Sequence, residues 1–257
     1  MKSIVAIVQA RMGSTRLPGK VLLPILGRPM LSYIIARLRS VQRITNVVVA
    51  TSEKSRDDPI VSFCAGQQIS CHRGSEEDVL DRFYKAALAE KADHVIRITA
   101  DCPLVDPQVV HELMELYFDG GYDHCGVATG AGATKAETSG RYPDGLDAEI
   151  FSLAVLQRAW KESTTTLHRE HVTPFIWQQP DRFKLGQLKS ATDYSHLRFT
   201  VDNKEDYELI RWMYESLYPT NPMFGLRDAV SLLQQHPERL ELNKQYIGKE
   251  GYEEFWK

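Results

Sequence analysis

Residues 9–20 read Gln-Ala-Arg-Met-Gly-Ser-Thr-Arg-Leu-Pro-Gly-Lys, a stretch with two glycines, two arginines, a lysine and two small hydroxyls. Glycine lets the backbone approach a ligand closely, and amides and cations gathered in one turn suit a polyphosphate. The spacing is not that of a Walker A loop. Five residues separate Gly13 from Gly19-Lys20 where the motif has four, and Val21 stands where Ser or Thr would hold Mg²⁺. No G-x-G-x-x-G is present, so a dinucleotide fingerprint is absent as well. The expectation is a nucleotide triphosphate loop; the plain alternative is a basic surface turn.

Two aspartates close apolar runs, Asp101 after VIRITA and Asp202 after LRFTV. In open parallel sheets, ligands bind outside the carboxyl ends of the strands, so both carboxylates can face the loop. A carboxylate pair facing a triphosphate suits a hard octahedral cation whose other ligands are phosphate oxygens and water. Capping of the following helix accounts for either aspartate on spacing alone. His168-Arg169-Glu170-His171 places its histidines three apart, so it is not an H-E-x-x-H zinc motif. His168 and His171 can share a helical face and meet an anionic acceptor, or belong to ordinary polar surface. Asp144 and Asp147, in YPDGLDAE, are candidates for acceptor hydroxyls, although a turn explains them nearly as well.

The elements that must position these residues alternate. The β-branched run 3–9 reads as a buried parallel strand. A helix follows from Pro29, with Met30, Ile34, Leu38 and Val41 at helical spacing. A strand over 44–52, a helix opened by DDP, a short strand over 69–72 and a helix capped near Ser75 continue the order. The strand 94–100 and a helix from Asp106 or Pro107 come next. Strand and helix in alternation predict a three-layer α/β/α fold with a mainly parallel sheet. Between about 124 and 195 the periodicity fails: GVATGAGATKAETSGRYP reads as a loop, HREHVTPFIWQQ as a helix, and FKLGQLK as a strand of a protruding arm. The run 197–202 returns to the buried-strand pattern and closes the core sheet, with a strong helix after it. The Trp and Tyr residues of that helix fall at core spacing.

The run Ala10-Arg11-x-Gly13-Ser14-x-Arg16-Leu17-Pro18-Gly19-Lys20, with Leu26-Gly27-Arg28-Pro29-Met30 behind it, resembles the signature of the cytidylyltransferases that activate acidic sugars such as acylneuraminate and KDO. It is most similar to the spore coat polysaccharide biosynthesis protein F branch, through Arg73-Gly74-Ser75-Glu76-Glu77-Asp78-Val79-Leu80-Asp81-Arg82, Arg97-Ile98-Thr99-Ala100-Asp101-Cys102-Pro103-Leu104, His168-Arg169-Glu170-His171-Val172-Thr173-Pro174 and Val201-Asp202. The resemblance implies a nucleotide-diphospho-sugar transferase (Rossmann-like) fold, CTP as donor, Mg²⁺ as cofactor and a homodimer paired through an inserted arm. It also implies site roles: Arg11 and Lys20 on the phosphates, the amides of Ala10, Arg11, Met12, Gly13 and Ser14 near the nucleotide, Arg73 and Ser75 on the cytosine or ribose side, and Asp101 and Asp202 on the metal. Where acylneuraminate enzymes carry Gln-Pro-Thr-Ser-Pro for sugar binding, this chain has Asp101-Cys102-Pro103-Leu104. Against the Gly-Asp-Glu-Pro of KDO enzymes, Cys102 replaces the Glu. The acceptor stays open among a sialic-acid relative, another acidic sugar and a phosphorylated small alcohol.

With 257 residues, 43% apolar, the chain can bury the core of one large domain carrying an insertion at about 124–195. A net charge of −3 without a Lys/Arg run argues against a nucleic-acid partner, and four cysteines without a C-x-x-C argue for reduced thiols. No segment reads as a signal peptide or membrane span, so a soluble cytoplasmic protein is expected. Two rival readings are a glycosyltransferase of the same fold and a non-catalytic nucleotide-binding module. An Asp-x-Asp at the fourth strand would favour the first, and Asp101-Cys102-Pro103 does not supply one; loss of the metal carboxylates would favour the second, and both are present.

Overall fold

Ile4–Gln9 forms strand β1, and Val5, Ala6, Ile7 and Val8 are all fully buried. Burial on both faces is why this strand is a continuous apolar run and does not alternate. The computed structural model of the chain describes residues 2–130 and 139–248. After β1 come two short strands, β2 (Pro24–Ile25) and β3 (Arg28–Pro29), and helix α1 (Met30–Arg39). The alternation continues through β4 (Asn46–Ser52), α2 (Asp58–Gly66), β5 (Cys71–Gly74), α3 (Val79–Ala89), β6 (His94–Thr99), α4 (Pro107–Gly120) and β7 (His124–Val127). Then follow β8 (Glu149–Ser152), α5 (Leu153–Glu162), α6 (Thr166–His171), α7 (Pro174–Trp177), β9 (Leu185–Leu188), α8 (Lys204–Leu217) and α9 (Leu226–Gln235).

Seven strands make one sheet in the order β5-β4-β1-β6-β8-β7-β9, in which β8 alone runs antiparallel to its neighbours. Ile4, Ala6 and Val8 of β1 pack toward α1, α4 and α8, while Val5 and Ile7 pack toward α3, α5 and α7. The predicted three layers follow from this two-sided burial.

The structure corrects several local expectations. Residues 124–127, read as the start of a loop, are the buried strand β7, whose ladder with β8 outweighs the weak propensity of His-Cys-Gly-Val. Residues 185–188, read as part of a protruding arm, form the edge strand of the main sheet and pair in parallel with β7. Residues 197–201 are buried, but beyond one isolated bridge between Arg198 and Asp144 the 197–202 run forms no ladder. Their amides serve loop carbonyls instead, Phe199 N–H to Asp144 O (2.6 Å) and Val201 N–H to Asp101 O (2.8 Å). The cap of α3 is Asp78, which accepts from the Asp81 amide, and not Ser75. The middle of the predicted loop, 131–138, lies outside the described residues.

HREHVTPFIWQQ is two short helices. Val172 breaks them at φ 71°, ψ −56°, a γ-turn closed by Thr173 N–H to His171 O (2.9 Å). This conformation is costly for a β-branched residue, and complete burial of Val172 holds it there.

Gly145 has φ 101°, and a Cβ there would collide with the Phe199–Thr200 peptide. Gly145→Ala is therefore expected to destabilise the protein by about 2–3 kcal/mol, through backbone strain and displacement of the 197–202 segment. Urea unfolding midpoints check this, and a loss below about 0.5 kcal/mol would contradict it.

Candidate active site

After β1 the chain crosses to β4 and β5 on one side, then returns to β6 on the other side of β1. The carboxyl ends of β1 and β6 therefore flank the crevice of an open sheet. The loop after Gln9 and the turn that carries Asp101 both emerge there, with Gln9 paired in register to Thr99. The loop is pinned from below. Asp57, fully buried, accepts from the Met12 amide at 2.7 Å and from the Ser52 amide and hydroxyl at the end of β4. The amides of Ala10 and Ser14 are also taken, by Ala50 O and Met12 O. Three of the five amides expected to face the nucleotide thus have partners within the protein. Gly19 ends the loop at φ 70°, a left-handed turn that favours glycine and delivers Lys20 inward.

Lys20 is buried, and its Nζ donates to Asp101 Oδ2 at 2.8 Å and to Asp202 Oδ1 at 2.7 Å. Asp202 also receives Arg16 at 3.1 Å and Arg198 at 2.9 Å. Arg198 is the hub beneath it, 2% exposed at its side chain, bonded in addition to Asp144 at 2.5 Å and to Asp206 at 3.1 Å. Asn243 closes this network by donating to Arg198 O and Asp206 Oδ1. Burial alone would raise the Asp101 pKa, but the charge and hydrogen bond of Lys20 outweigh it and bring it down to about 2. Burial would likewise lower the Lys20 pKa, and the two aspartates reverse the sign and raise it.

The cleft above is lined on one side by Arg11, Gly13, Ser14, Thr15, Arg16 and Lys20 of the loop, and on the other by Thr99, Asp101, Glu170, His171 and Asp202. Ala10 also lines it. The structure thus brings Ala10, Arg11, Gly13, Ser14, Lys20, Asp101, Asp202 and His171 of the candidate residues into one place. Met12 points its amide to Asp57. Arg73 and Ser75 do not line the cleft: Arg73 bonds Ser52 O, Lys54 O and Asp58, and the Ser75 hydroxyl accepts from the Asp78 amide. His168 Nε2 bonds Gln178, and Asp144 is engaged by Arg198. Asp147 accepts from Thr129 and the Gly145 amide; burial, ahead of the nearby Asp101 and Glu149 charges, raises its pKa.

Sequence reasoning missed Arg82 and Glu76, which also line the cleft, and the supports Asp57 and Arg198. Arg82 donates to Ser75 O at 2.7 Å, and burial, with Arg11 adding to it, lowers its pKa to about 10. Arg82 and Glu76 were signalled only as members of the Arg73–Arg82 run that carries the resemblance, without a role of their own; Arg198 lies four and eight residues before Asp202 and Asp206, but that spacing does not by itself predict a buried ion-pair hub, and its third partner, Asp144, is remote in sequence.

A family model described as cytidylyltransferase matches residues 5–248. The chain belongs to the cytidylyltransferase family. It is 33% identical to the spore coat polysaccharide biosynthesis protein SpsF of Bacillus subtilis over 93% of this chain and 97% of that one. An uncharacterised protein of Methanocaldococcus jannaschii, MJ1063, is 31% identical over 98% of both chains. Among solved structures, a cytidylyltransferase from Leptospira borgpetersenii superposes with a TM-score of 0.83 at 29% identity, covering 93% of this chain and 97% of that one. The fold is also that of a CMP-2-keto-3-deoxy-manno-octonic acid synthetase solved with CTP, at a TM-score of 0.62 and 19% identity over 83% of this chain and 99% of that one. This cytidylyltransferase is thus a nucleotidyl-transferring enzyme, and among its described residues no helix is long and apolar enough to cross a membrane.

On β8, opposite Arg97 in register, Glu149 pairs with Arg97 at 2.5 Å and with His124 at 3.0 Å. Burial would raise its pKa, yet Arg97 first and then His124 bring it from 4.5 to about 2. A depressed carboxylate stabilises the fold above its unfolded pKa, and that contribution is lost as pH falls through the folded value. Glu149→Gln should therefore be less stable than wild type at neutral pH. The gap should narrow from about pH 4.5 toward pH 2, by up to about 1.4 kcal/mol per pH unit. A gap constant with pH in urea titrations would contradict this.

Proposed function

We propose that the cleft binds CTP with its triphosphate along the 10–20 loop and transfers CMP to a small acidic acceptor, releasing pyrophosphate. The observation that carries this reading is the convergence of Lys20, Asp101 and Asp202 at the mouth of β1 and β6, within a loop that adds Arg11 and Arg16. In the reaction an acceptor oxygen attacks the α-phosphorus, a new P–O bond forms, and the bond to the β-phosphate oxygen breaks. Such chemistry asks the protein for position and charge more than for covalent participation. Arg11, Lys20 and Arg82 would offset the charge gathering on the leaving pyrophosphate.

Asp101 and Asp202 would hold Mg²⁺. Their oxygens converge on one point, now the Lys20 ammonium, and are the hard donors that this cation takes. No group of three or more His, Cys, Asp or Glu among the described residues could hold a metal alone. Two carboxylates therefore suit an ion that arrives with phosphate ligands, and its chemistry when bound is charge neutralisation at the phosphates. Of the four acceptor candidates we retain His171, which lines the cleft beside Glu170, and Asp147, which lies near Asp101; Asp144 and His168 have partners that serve the scaffold. Similarity to the spore coat protein supports a role in surface polysaccharide synthesis. A homodimer and a cytoplasmic location complete the reading; a monomeric mass by light scattering would remove the dimer.

Thermal melts with CTP, UTP, GTP, ATP and nucleotide-sugars, each with Mg²⁺, test the donor. CTP alone at ~100 times its Kd should add roughly 2.7 kcal/mol of stability. A shift with nucleotide-sugars only would move the reading to glycosyl transfer. Asp101→Asn and Asp202→Asn should each lower pyrophosphate release by at least about 100-fold while the circular dichroism spectrum is kept, a loss of the size seen when one transition-state charge contact is removed. Near-normal turnover at saturating Mg²⁺ in either variant would overturn the metal assignment.

A further inference from the structure

Lys20 occupies the point that a divalent cation would need. Its ammonium lies within hydrogen-bond distance of one oxygen from each carboxylate, and the side chain is 10% exposed. Two cations cannot share that point, because a metal ion binds carboxylate oxygen more closely than an ammonium does and strongly repels a neighbouring positive charge. Removing the ammonium with nothing in its place leaves two carboxylates facing each other, which is also unfavourable. Asp202 keeps Arg198 and Arg16 in that case, but Asp101 makes its ion pair, among the described residues, with Lys20. Lys20 sits on a flexible four-carbon stem at the end of the proposed triphosphate loop, so its ammonium can swing while the backbone stays.

We infer that Lys20 is an exchangeable counter-ion: it neutralises Asp101 and Asp202 in the nucleotide-free protein and passes to the triphosphate when nucleotide binds, so that the carboxylates take a divalent cation only in company with nucleotide. The inference rests on the metal assignment proposed above and goes beyond it, by making cation affinity conditional on where one side chain lies. It also gives Lys20 two anionic partners in turn, where the family resemblance gives it one.

The test is Mn²⁺ binding to nucleotide-free protein, followed by the electron paramagnetic resonance signal of free Mn²⁺ and by thermal melts. The proteins are wild type, Lys20→Met, Lys20→Gln and the double variant Lys20→Met/Asp101→Asn. Lys20→Met should melt below wild type, bind Mn²⁺ at least about tenfold more tightly, and regain stability as Mn²⁺ is added, a difference of about 1.4 kcal/mol in binding. The double variant should lose that gain. Lys20→Gln, which keeps a polar group in place, gives the same comparison if the methionine variant fails to fold. Equal Mn²⁺ affinity in wild type and both lysine variants overturns the exchange. If wild type with CTP then holds an additional Mn²⁺ that Asp101→Asn abolishes, only the exchange has failed. If Asp101→Asn changes nothing in that complex, the carboxylate-pair assignment has failed with it.

Discussion

Two carboxylates that face one another at the end of a buried sheet need positive charge around them, and much of the architecture around the cleft supplies it. Asp101 arrives on the turn after β6 and Asp202 on an extended segment that joins no ladder. Lys20 bridges them from above and Arg198 anchors Asp202 from below. Arg198 is itself sustained by Asp144 and Asp206, so the charge network continues inward as far as Asn243. Burial alone would disfavour a charged guanidinium, and the three carboxylates reverse that, raising its pKa. A buried network of this kind contributes less to stability than to fixing one arrangement of its members, because its desolvation cost offsets much of the attraction.

The loop is held by a different device. Asp57 stands at the start of α2 and joins the Met12 amide to the end of β4, so the loop is tied to the sheet by backbone rather than by the side chains that face the cleft. Arg56, paired with Glu76, packs over Gly13, where a Cβ would come within 3.2 Å of the guanidinium. This leaves Arg11 and Arg16 at the surface, where they can meet a ligand without loosening the loop. Across the cleft, Glu170 and His171 are set by the γ-turn at Val172, the most strained non-glycine backbone near the site.

The parts of this arrangement that were legible in the sequence are those whose cause is local. A strand buried on both faces must be an apolar run, so β1, β4 and β6 announced themselves, and the glycines and cations after Gln9 marked the loop. The short β7 was missed because His-Cys-Gly-Val has no strand preference apart from its partners. Residues 197–202 have the composition of a buried strand, and 197–201 are buried, but composition does not say whether backbone partners form a ladder. Arg73 was given a place beside the nucleotide by the resemblance alone; its hydrogen bonds to Ser52 and Lys54 exist only once β4 and β5 are side by side. Arg198 finds Asp202 and Asp206 just ahead of it in the chain, but its bond to Asp144 likewise exists only once two remote segments have met.

The ion pair between Lys20 and Asp202 joins residues 182 positions apart. During synthesis the first half of the chain leaves the ribosome with the loop and Asp101 already made, but without the second carboxylate or its arginine anchor. Chain emergence from the amino terminus is slow compared with local folding, so β1, β4, β5 and β6 can associate long before residues 198–206 exist. Through that interval the nascent protein has the 10–20 loop with half of its charge partners. The completed centre is thus among the last features of the molecule to form, and a competent site reports that nearly all of the described chain has been made and folded.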